Sequence, residues 1–217
     1  MSVARRGGLA DEIVAYVRGR ILAGEMKPGE KVDQDAIAEA LDVSRSPIRE
    51  ALVILGQEGL LDVTPRRGAF VASITREDVI DHYELFGLVS GRVAALAAER
   101  LTDAEISELR LIHERFEAAT SEDHSKLNNE FHRLINTAAP RRTRWLLRHL
   151  ERSIPAGFYA FTPGWTEQAH TGHDEIIEAI THRDADSARR AMEEHLHAAG
   201  VAAADALAER GFWEDAS

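Results

Sequence analysis

The segment that decides the fold is Ala36-Ile37-Ala38-Glu39-Ala40-Leu41-Asp42-Val43-Ser44-Arg45-Ser46-Pro47-Ile48-Arg49-Glu50-Ala51-Leu52. Its apolar residues recur at the spacing of two short helices, and Ser44 is typical of the residue that caps the start of the second helix. Two short helices joined by a tight connection predict a helix-turn-helix. The apolar side chains expected to hold the two helices together are Ala38, Leu41, Val43, Ile48 and Leu52.

The start of the second helix carries side chains suited to DNA. Arg45 and Arg49 lie four residues apart, so they share one helix face. Their guanidinium groups match guanine edges or phosphates. Ser44 and Ser46 add short hydrogen-bond donors at a helix N-terminus, where backbone N–H groups also favour phosphate. The sequence therefore predicts that these four residues contact double-stranded DNA.

Two short β segments follow, over residues 60–64 and 69–71, and a glycine-containing turn joins them. This pattern predicts a β-hairpin. Arg66, Arg67 and Gly68 lie at its tip, and a narrow tip that carries arginine suits the negative potential of a DNA minor groove. We therefore predict these three residues as further DNA contacts.

The rest of the chain has helical periodicity. One helix precedes the decisive segment, and Thr102 with Glu105 predicts a capping box farther along the chain. The fold class predicted is mainly α, with an N-terminal winged helix-turn-helix over 1–72, a linker over 73–75 and a C-terminal antiparallel all-helical bundle over 76–217. The helices expected in the bundle cover about 76–100, 103–119, 122–138, 141–153, 165–182 and 184–209.

Composition supports two parts with different roles. The 217 residues include no Cys, which excludes disulfide scaffolds, thiolate zinc sites and cysteine nucleophiles. Residues 1–75 have a net charge of −1, whereas residues 76–217 have −10 and contain all ten histidines. No segment is typical of a signal peptide or a membrane span, so we expect a cytoplasmic protein with no membrane partner.

Four motifs in the first 72 residues are Pro28-Gly29, Leu41-x-Val43-Ser44-Arg45-x-Pro47-Ile48-Arg49-Glu50-Ala51-Leu52, Gly59-Leu60 and Arg67-Gly68-Ala69-Phe70-Val71. They closely resemble the winged-helix domain of GntR-family bacterial transcription regulators. The resemblance implies that Arg45, Arg49 and Gly68 lie at the operator, and that a homodimer binds a palindromic site. Some relatives place a basic contact at residues 33–35, where this chain has Asp33-Gln34-Asp35.

Histidines on three of the predicted helices indicate a second site. Asn128 and His132 lie four residues apart on one helix face, whereas His173 and His195 lie on two other helices. Imidazoles from three helices can converge inside a bundle and bind a divalent metal, with the Asn128 oxygen as a further ligand. Solvated or core-packed histidines are the alternative interpretation.

The segments Asn128-Asn-Glu-Phe131-His132, His173-Asp-Glu-Ile176-Ile177-Glu-Ala-Ile180 and Met192-Glu-Glu-His195 resemble the hallmarks of FCD domains, the helical domains of the FadR-type branch. The resemblance implies that Asn128, His132, His173 and His195 bind a divalent metal, zinc with nickel or manganese as alternatives. It also implies a small organic acid as effector.

The first long helix of the bundle departs from the pattern of many relatives. Those relatives carry Arg and Glu where this chain has Phe86 and Ser90. The resemblance implies that these two residues line the effector site, and ordinary core packing is the alternative for Phe86.

Two other functions stay open, a metal-dependent hydrolase and a helical interaction protein. The chain lacks the Gly-x-Ser-x-Gly, Gly-x-Gly-x-x-Gly and Walker motifs of common enzyme classes. The segment His113-Glu114-Arg-Phe-Glu117 begins like a zinc-protease motif but has Glu where that motif requires a second His. A hydrolase would also need a general base, for which Glu130 is the neighbouring candidate. We therefore predict a dimeric, ligand-responsive transcription regulator and not an enzyme.

Overall fold

The computed structural model describes residues 3–153 and 165–213 of the chain. These residues divide into two compact units. The first contains residues 3–75 together with Ser153 and residues 207–213, and the second contains residues 76–152 and 165–206. The domain limits of 1–72 and 76–217 stay a prediction.

The first unit is a three-helix module with a small sheet. Its elements are α1 (Val3–Leu22), α2 (Gln34–Leu41), α3 (Arg45–Gln57), β1 (Leu61–Thr64) and β2 (Gly68–Val71). The strands pair antiparallel, with Leu61 opposite Val71 and Thr64 opposite Gly68. The predicted winged helix-turn-helix architecture is confirmed.

Apolar residues at helical spacing build the core of this unit. The fully buried ones on α1 and α3 are Ile13, Val17, Ile21, Ile48, Ala51 and Leu55. An ion pair of 2.7 Å between Arg18 and Glu58 is almost enclosed and links α1 to the residue that follows α3. The last described residues belong to the same unit, where the Trp213 indole N–H donates to the Ile74 carbonyl at 2.7 Å.

Six α-helices follow in the described ranges. They are α4 (Arg76–Arg100), α5 (Asp103–Glu117), α6 (Ser121–Ile135), α7 (Arg141–Ser153), α8 (Trp165–Thr181) and α9 (Ala185–Glu209), and a short 3₁₀ helix, Asn136–Ala138, follows α6. The predicted all-helical character is confirmed, and no helix in the described ranges is long and apolar enough to cross a membrane.

Local caps fix the ends of several of these helices. The predicted capping box is present, because the Thr102 backbone N–H donates to Glu105 Oε2 at 2.8 Å and the Glu105 N–H donates back to Thr102 Oγ1 at 3.3 Å. Arg183, in the left-handed conformation at φ 58°, donates to the Leu101 carbonyl after α4 and pairs with Asp103 at 2.6 Å. These contacts hold the start of α9 near the junction of α4 and α5.

Glycine lets α4 approach α9 closely. A Cβ atom added at Gly91 would lie 2.9 Å from the Arg189 carbonyl oxygen, and one added at Gly200 would lie 2.6 Å from Tyr83 Cβ. Both distances are shorter than real Cβ contacts, so larger residues at these two positions would force the helices apart. The close approach fixes the position of α9, which carries His195.

Candidate functional site

Aspartates define both ends of α2. Asp33 caps α2, because its Oδ1 accepts hydrogen bonds from the backbone N–H groups of Asp35 at 2.9 Å and Ala36 at 3.1 Å. Asp42 ends α2 in the left-handed conformation at φ 49°, and the Val43 N–H donates to the Ala38 carbonyl at 3.0 Å. This geometry determines where α3 begins.

The start of α3 has one buried face and one polar face. Ser44 occupies the predicted N-cap position, but no side-chain capping bond is found for it in the described residues. Pro47 and Ile48 are buried, whereas Ser44, Arg45, Ser46 and Arg49 are exposed. The polar side chains are therefore accessible to a ligand, and their contact with DNA stays a prediction.

Arg45 forms an exposed ion pair with Asp35 at 2.7 Å, with the side chains 64% and 70% exposed. An exposed pair of this kind contributes at most about 1 kcal/mol, whereas a good base contact contributes about 1–3 kcal/mol. DNA can therefore displace Asp35 from Arg45 at little cost. The pair borders an open groove of about 530 Å³ lined by Lys31, Val32, Asp33, Gln34, Asp35, Arg45 and Arg49.

The tip of the hairpin exposes Arg66 and Arg67. Gly68 has φ 112°, in a region that residues with a side chain rarely adopt, so the backbone conformation favours glycine at this position. Arg66 also has a positive φ, 65°. A Cβ atom at Gly68 would also lie 3.2 Å from Lys31 Cε. Lys31 is therefore a cationic neighbour of the hairpin that sequence reasoning missed, because a backbone pairing with Phe70 brings it there.

Three histidines from three helices converge in the second unit. One ring nitrogen from each of His132, His173 and His195 lies within 4.8 Å of the others. The ring centroids are 5.4 Å apart for His132 and His173, 5.3 Å for His132 and His195, and 5.1 Å for His173 and His195. The structure thus brings together the three histidines that the sequence analysis selected.

Polar atoms without partners mark the same region. Asn128, one turn before His132 on α6, is buried, and its Oδ1 has no hydrogen-bond partner among the described residues. The same holds for both ring nitrogens of the fully buried His173 and for Nδ1 of His195. Buried polar atoms are nearly always paired, so the Asn128 oxygen and one ring nitrogen each from His173 and His195 fit a site whose ligands surround an ion.

The electrostatic environment keeps the three imidazoles neutral. Burial, with a smaller effect from His195, lowers the pKa of His132 from 6.5 to about 3. Burial lowers the pKa of His195 to about 4, and burial together with the neighbouring histidines lowers the pKa of His173 well below its ordinary value. Neutral imidazole is the form that binds metal, so the cluster is ready for an ion at neutral pH.

Aromatic packing and a glycine position these rings. Phe131 stacks on His173 with centroids 3.9 Å apart and an interplanar angle of 20°. A Cβ atom added at Gly172 would lie 3.0 Å from His195 Cγ and 3.2 Å from His195 Cβ, and it would overlap the ring at Nδ1. Only glycine at position 172 leaves room for the His195 ring as it lies.

We expect Gly172→Ala to destabilise the protein by about 1–3 kcal/mol, because the added methyl group overpacks a site whose other rings leave little space. Gly19→Ala is the matched control, since nothing lies within 4 Å of a Cβ atom in that α1 position. There, alanine should stabilise by about 1 kcal/mol through its better helix propensity. Urea unfolding of both variants measures the difference, and equal stabilities would contradict this account of Gly172.

The other predicted residues have the following positions. Phe86 and Ser90 lie on α4 and are 8% and 5% exposed, so their role at an effector stays a prediction. Glu130, the base that a hydrolase would need, pairs with Arg115 at 3.5 Å.

A winged helix-turn-helix with arginines at the start of α3, in a chain that also forms a helical unit with a three-histidine cluster, is typical of DNA-binding regulators with a helical C-terminal domain. Two family models agree with this class. Bacterial regulatory proteins of the gntR family match residues 9–71, and the FCD domain matches residues 81–198. The chain belongs to the GntR family of bacterial transcription regulators and carries an FCD domain.

Curated relatives are named as HTH-type transcriptional regulators, and solved structures share the fold. An uncharacterized HTH-type transcriptional regulator of Mycobacterium tuberculosis is 30% identical over 184 residues, covering 83% of this chain and 75% of the relative. The HTH-type transcriptional repressor RspR of Escherichia coli is 27% identical over 194 residues, covering 85% and 84%. The solved structure of McbR/YncC of E. coli has a TM-score of 0.60 at 20% identity, covering 88% of this chain and 94% of that one.

Family membership decides between the functions that the sequence left open. The prediction of a transcription regulator is confirmed, and an enzyme is not supported. GntR regulators bind DNA operators, and some FCD domains bind metals.

Proposed function

We propose that this regulator binds a palindromic operator as a homodimer, and that a small organic acid controls it by binding at a divalent metal ion in the helical unit. The metal ligands in this proposal are Asn128, His132, His173 and His195. A protein that acts on bacterial DNA works in the cytoplasm, which is where we expect this one.

The exposed start of α3 supports the DNA part of the proposal. Arg45 and Arg49 project from one side of the helix while Pro47 and Ile48 anchor its other side in the core. An anchored recognition helix presents its N-terminal side chains to base edges in the major groove. The arginines at the hairpin tip are then available to phosphates or to the minor groove.

One observation carries the metal part of the proposal. Three neutral imidazoles face one another in a buried site, and the buried oxygen of Asn128 lacks a partner among the described residues. Three nitrogens and one neutral oxygen fit zinc and also suit nickel or manganese. When bound, a divalent ion supplies a positive centre with an open position for a further ligand.

The charge of this ligand set favours an anionic effector. All four proposed ligands are neutral at pH 7, because burial keeps the histidine pKa values low and Asn128 is an amide. A dication surrounded only by neutral ligands retains its charge in a buried site, where an uncompensated charge is costly. A carboxylate from a small organic acid offsets that charge, so this class of effector fits the site better than a neutral molecule.

We expect the three-histidine cluster of untagged protein purified without chelator to hold about one equivalent of metal per chain, so His132→Ala should contain about one equivalent less than the wild type, because one of three imidazole ligands is gone. Elemental mass spectrometry measures the content after zinc supplementation and dialysis. His182→Ala is the control, since this exposed histidine lies outside the cluster and contacts only the Glu178 carbonyl in the described contacts. Wild-type protein without metal would overturn the metal part of the proposal.

The effector is tested through its effect on DNA binding. Because effector and operator affinities are thermodynamically linked, an acid that changes operator affinity must itself bind DNA-bound and free protein differently by the same factor. Screening small carboxylates against a fixed protein–operator complex by fluorescence anisotropy reveals that change. An acid that acts equally on wild-type protein and on the His132→Ala variant does not act through this site.

A further inference from the structure

A second group of metal-binding side chains lies between α5 and α8, outside the proposed ligand set. α5 contributes His113 and Glu117, and α8 contributes His170 and Asp174. The members of each pair are four residues apart and therefore share a helix face. One ligand atom each from His113, Glu117 and His170 lies within 4.8 Å of the others. We call these four residues the α5–α8 cluster.

The contacts within the α5–α8 cluster are specific. His113 Nε2 lies 2.9 Å from Asp174 Oδ1, and His170 Nδ1 lies 3.3 Å from Asp174 Oδ2. The second nitrogen of His170, Nε2, contacts Glu117 Oε1. Asp174 thus orients both imidazole rings, while Glu117 faces the other side of the His170 ring.

Burial gives the α5–α8 cluster a closed side and an open side. The His113 side chain is 6% exposed, and its Nδ1 has no hydrogen-bond partner among the described residues. The side chains of His170 and Glu117 are 36% and 44% exposed. A hydrogen-bonded ion cluster without metal, with His170 between two carboxylates, would leave the buried His113 nitrogen unsatisfied. An ion that binds this nitrogen would satisfy it.

We propose that the α5–α8 cluster is a second site for a divalent ion of the zinc class, with His113 Nδ1, His170 Nε2 and Glu117 Oε1 as ligands. Asp174 is then a positioning residue, because a histidine that binds metal through one nitrogen commonly donates its other N–H to a carboxylate. Two imidazoles with one carboxylate form a ligand set that zinc adopts, whereas magnesium and calcium prefer oxygen ligands alone.

The α5–α8 cluster differs from the three-histidine cluster in charge and exposure. Glu117 and Asp174 offset the charge of a dication, whereas the proposed ligands of the other site are all neutral. The partly exposed Glu117 and His170 can also adjust to bring their ligand atoms to the roughly 2.0–2.2 Å bond lengths of zinc. Because the ring centroids of His113 and His173 are only 5.5 Å apart, the two sites are neighbours. This proposal does not depend on the DNA or effector proposals.

The test is a zinc titration of the full untagged chain by isothermal calorimetry, after a chelator has removed bound metal and has itself been removed, with cobalt absorption spectra as a second readout. We expect two equivalents per chain. Glu117→Ala combined with His170→Ala should lose one equivalent and its cobalt spectrum, while keeping the equivalent that His132→Ala removes. Asp174→Asn should weaken the second equivalent by about 10- to 100-fold, and Asp174→Glu should restore part of that affinity.

Two results would overturn this proposal. One is a single equivalent in wild-type protein that the combined Glu117 and His170 variant retains, and the other is a second equivalent that persists in that variant. His182→Ala controls for adventitious binding by exposed histidines, and circular dichroism verifies that each variant is folded. Glu117→Gln, a change at a partly exposed side chain, replaces the combined variant if the latter does not fold.

Discussion

Replacing both Arg45 and Arg49 with alanine should reduce operator affinity by about 30-fold to about 20,000-fold, because each good base contact contributes about 1–3 kcal/mol. Both guanidinium groups are exposed at the start of α3, and the helix itself is anchored by buried residues that the substitutions leave intact. The loss therefore reports on DNA contacts and not on folding. Fluorescence anisotropy with a duplex selected by the wild-type protein from a random library measures it.

Two further variants sharpen this experiment. Arg148→Ala removes an exposed arginine of α7 and should keep wild-type affinity. Asp35→Ala releases Arg45 from its exposed ion pair, so affinity should stay equal or rise by no more than about fivefold. Undiminished affinity of the double arginine variant would show that α3 does not read the operator.

The salt dependence of the same measurements distinguishes base contacts from phosphate contacts. Removing one phosphate contact lowers the slope of log affinity against log salt by about 0.9 and weakens all sequences alike. Removing a base contact leaves the slope almost unchanged and relaxes specificity at one position. The serine hydroxyls at the start of α3 are uncharged and release no counterion, so Ser46→Ala should weaken binding while the slope stays unchanged.

The winged module was predictable from the sequence because local signals specify it. Helical spacing of apolar residues, a serine at a cap position and a glycine after an arginine-rich turn all depend on residues close together in the chain. The role of Asp33 was not predictable in this way. Asp33 and Asp35 are both good capping residues, and the choice depends on the long-range pairing of Val32 with Ala69, whose backbone bond is 2.9 Å long.

The three-histidine cluster could not be predicted from the sequence pattern alone. Among ten histidines, helix positions pointed to His132, His173 and His195, but ligand counting alone left solvated histidines as the alternative, and the family resemblance was needed to favour the metal site. Their convergence depends on helix packing, which Gly91, Gly172 and the stacking of Phe131 on His173 allow. None of these features has a local sequence signal.

The α5–α8 cluster was missed for the same reason. His113 and Glu117 have helical spacing, and so do His170 and Asp174, but 61 residues separate His113 from its partner Asp174. The incomplete protease-like motif at His113 was the only hint. A search for i, i+4 pairs of His with acidic residues on different helices could have identified both halves of the cluster, although not their contact.

Lowering the pH from 7.5 to 5 should destabilise the metal-free protein by about 4 kcal/mol through His132 and His195 alone. Burial lowers the pKa of these imidazoles to about 3 and about 4, so they stay neutral in the folded protein, whereas in the unfolded chain they bind protons below pH 6.5. Each therefore contributes about 2 kcal/mol at pH 5, since 1.36 kcal/mol corresponds to one pKa unit. Whole domains are stable by only about 5–15 kcal/mol, so the effect is large.

The direction and the pH window of this effect follow from the sign of the shifts. A lowered histidine pKa leaves stability complete above pH 6.5, and stability then declines as the pH falls toward the folded-state values. His82 and His173, whose pKa values burial also lowers, act in the same direction. The capping carboxylates of Glu105 and Asp184 also have lowered pKa values, but their ordinary values of 4.5 and 3.8 place their effect below this window.

Denaturant unfolding of chelator-treated protein at several pH values between 7.5 and 5 measures this loss. His132→Leu removes one buried titrating group, so its stability should fall by about 2 kcal/mol less than that of the wild type over the same interval. His182→Leu removes an exposed histidine and should keep the wild-type dependence. A wild-type stability that is constant from pH 7.5 to 5 would mean that these imidazoles are accessible to protons in the folded protein. A buried neutral ligand set at His132, His173 and His195 would then be wrong.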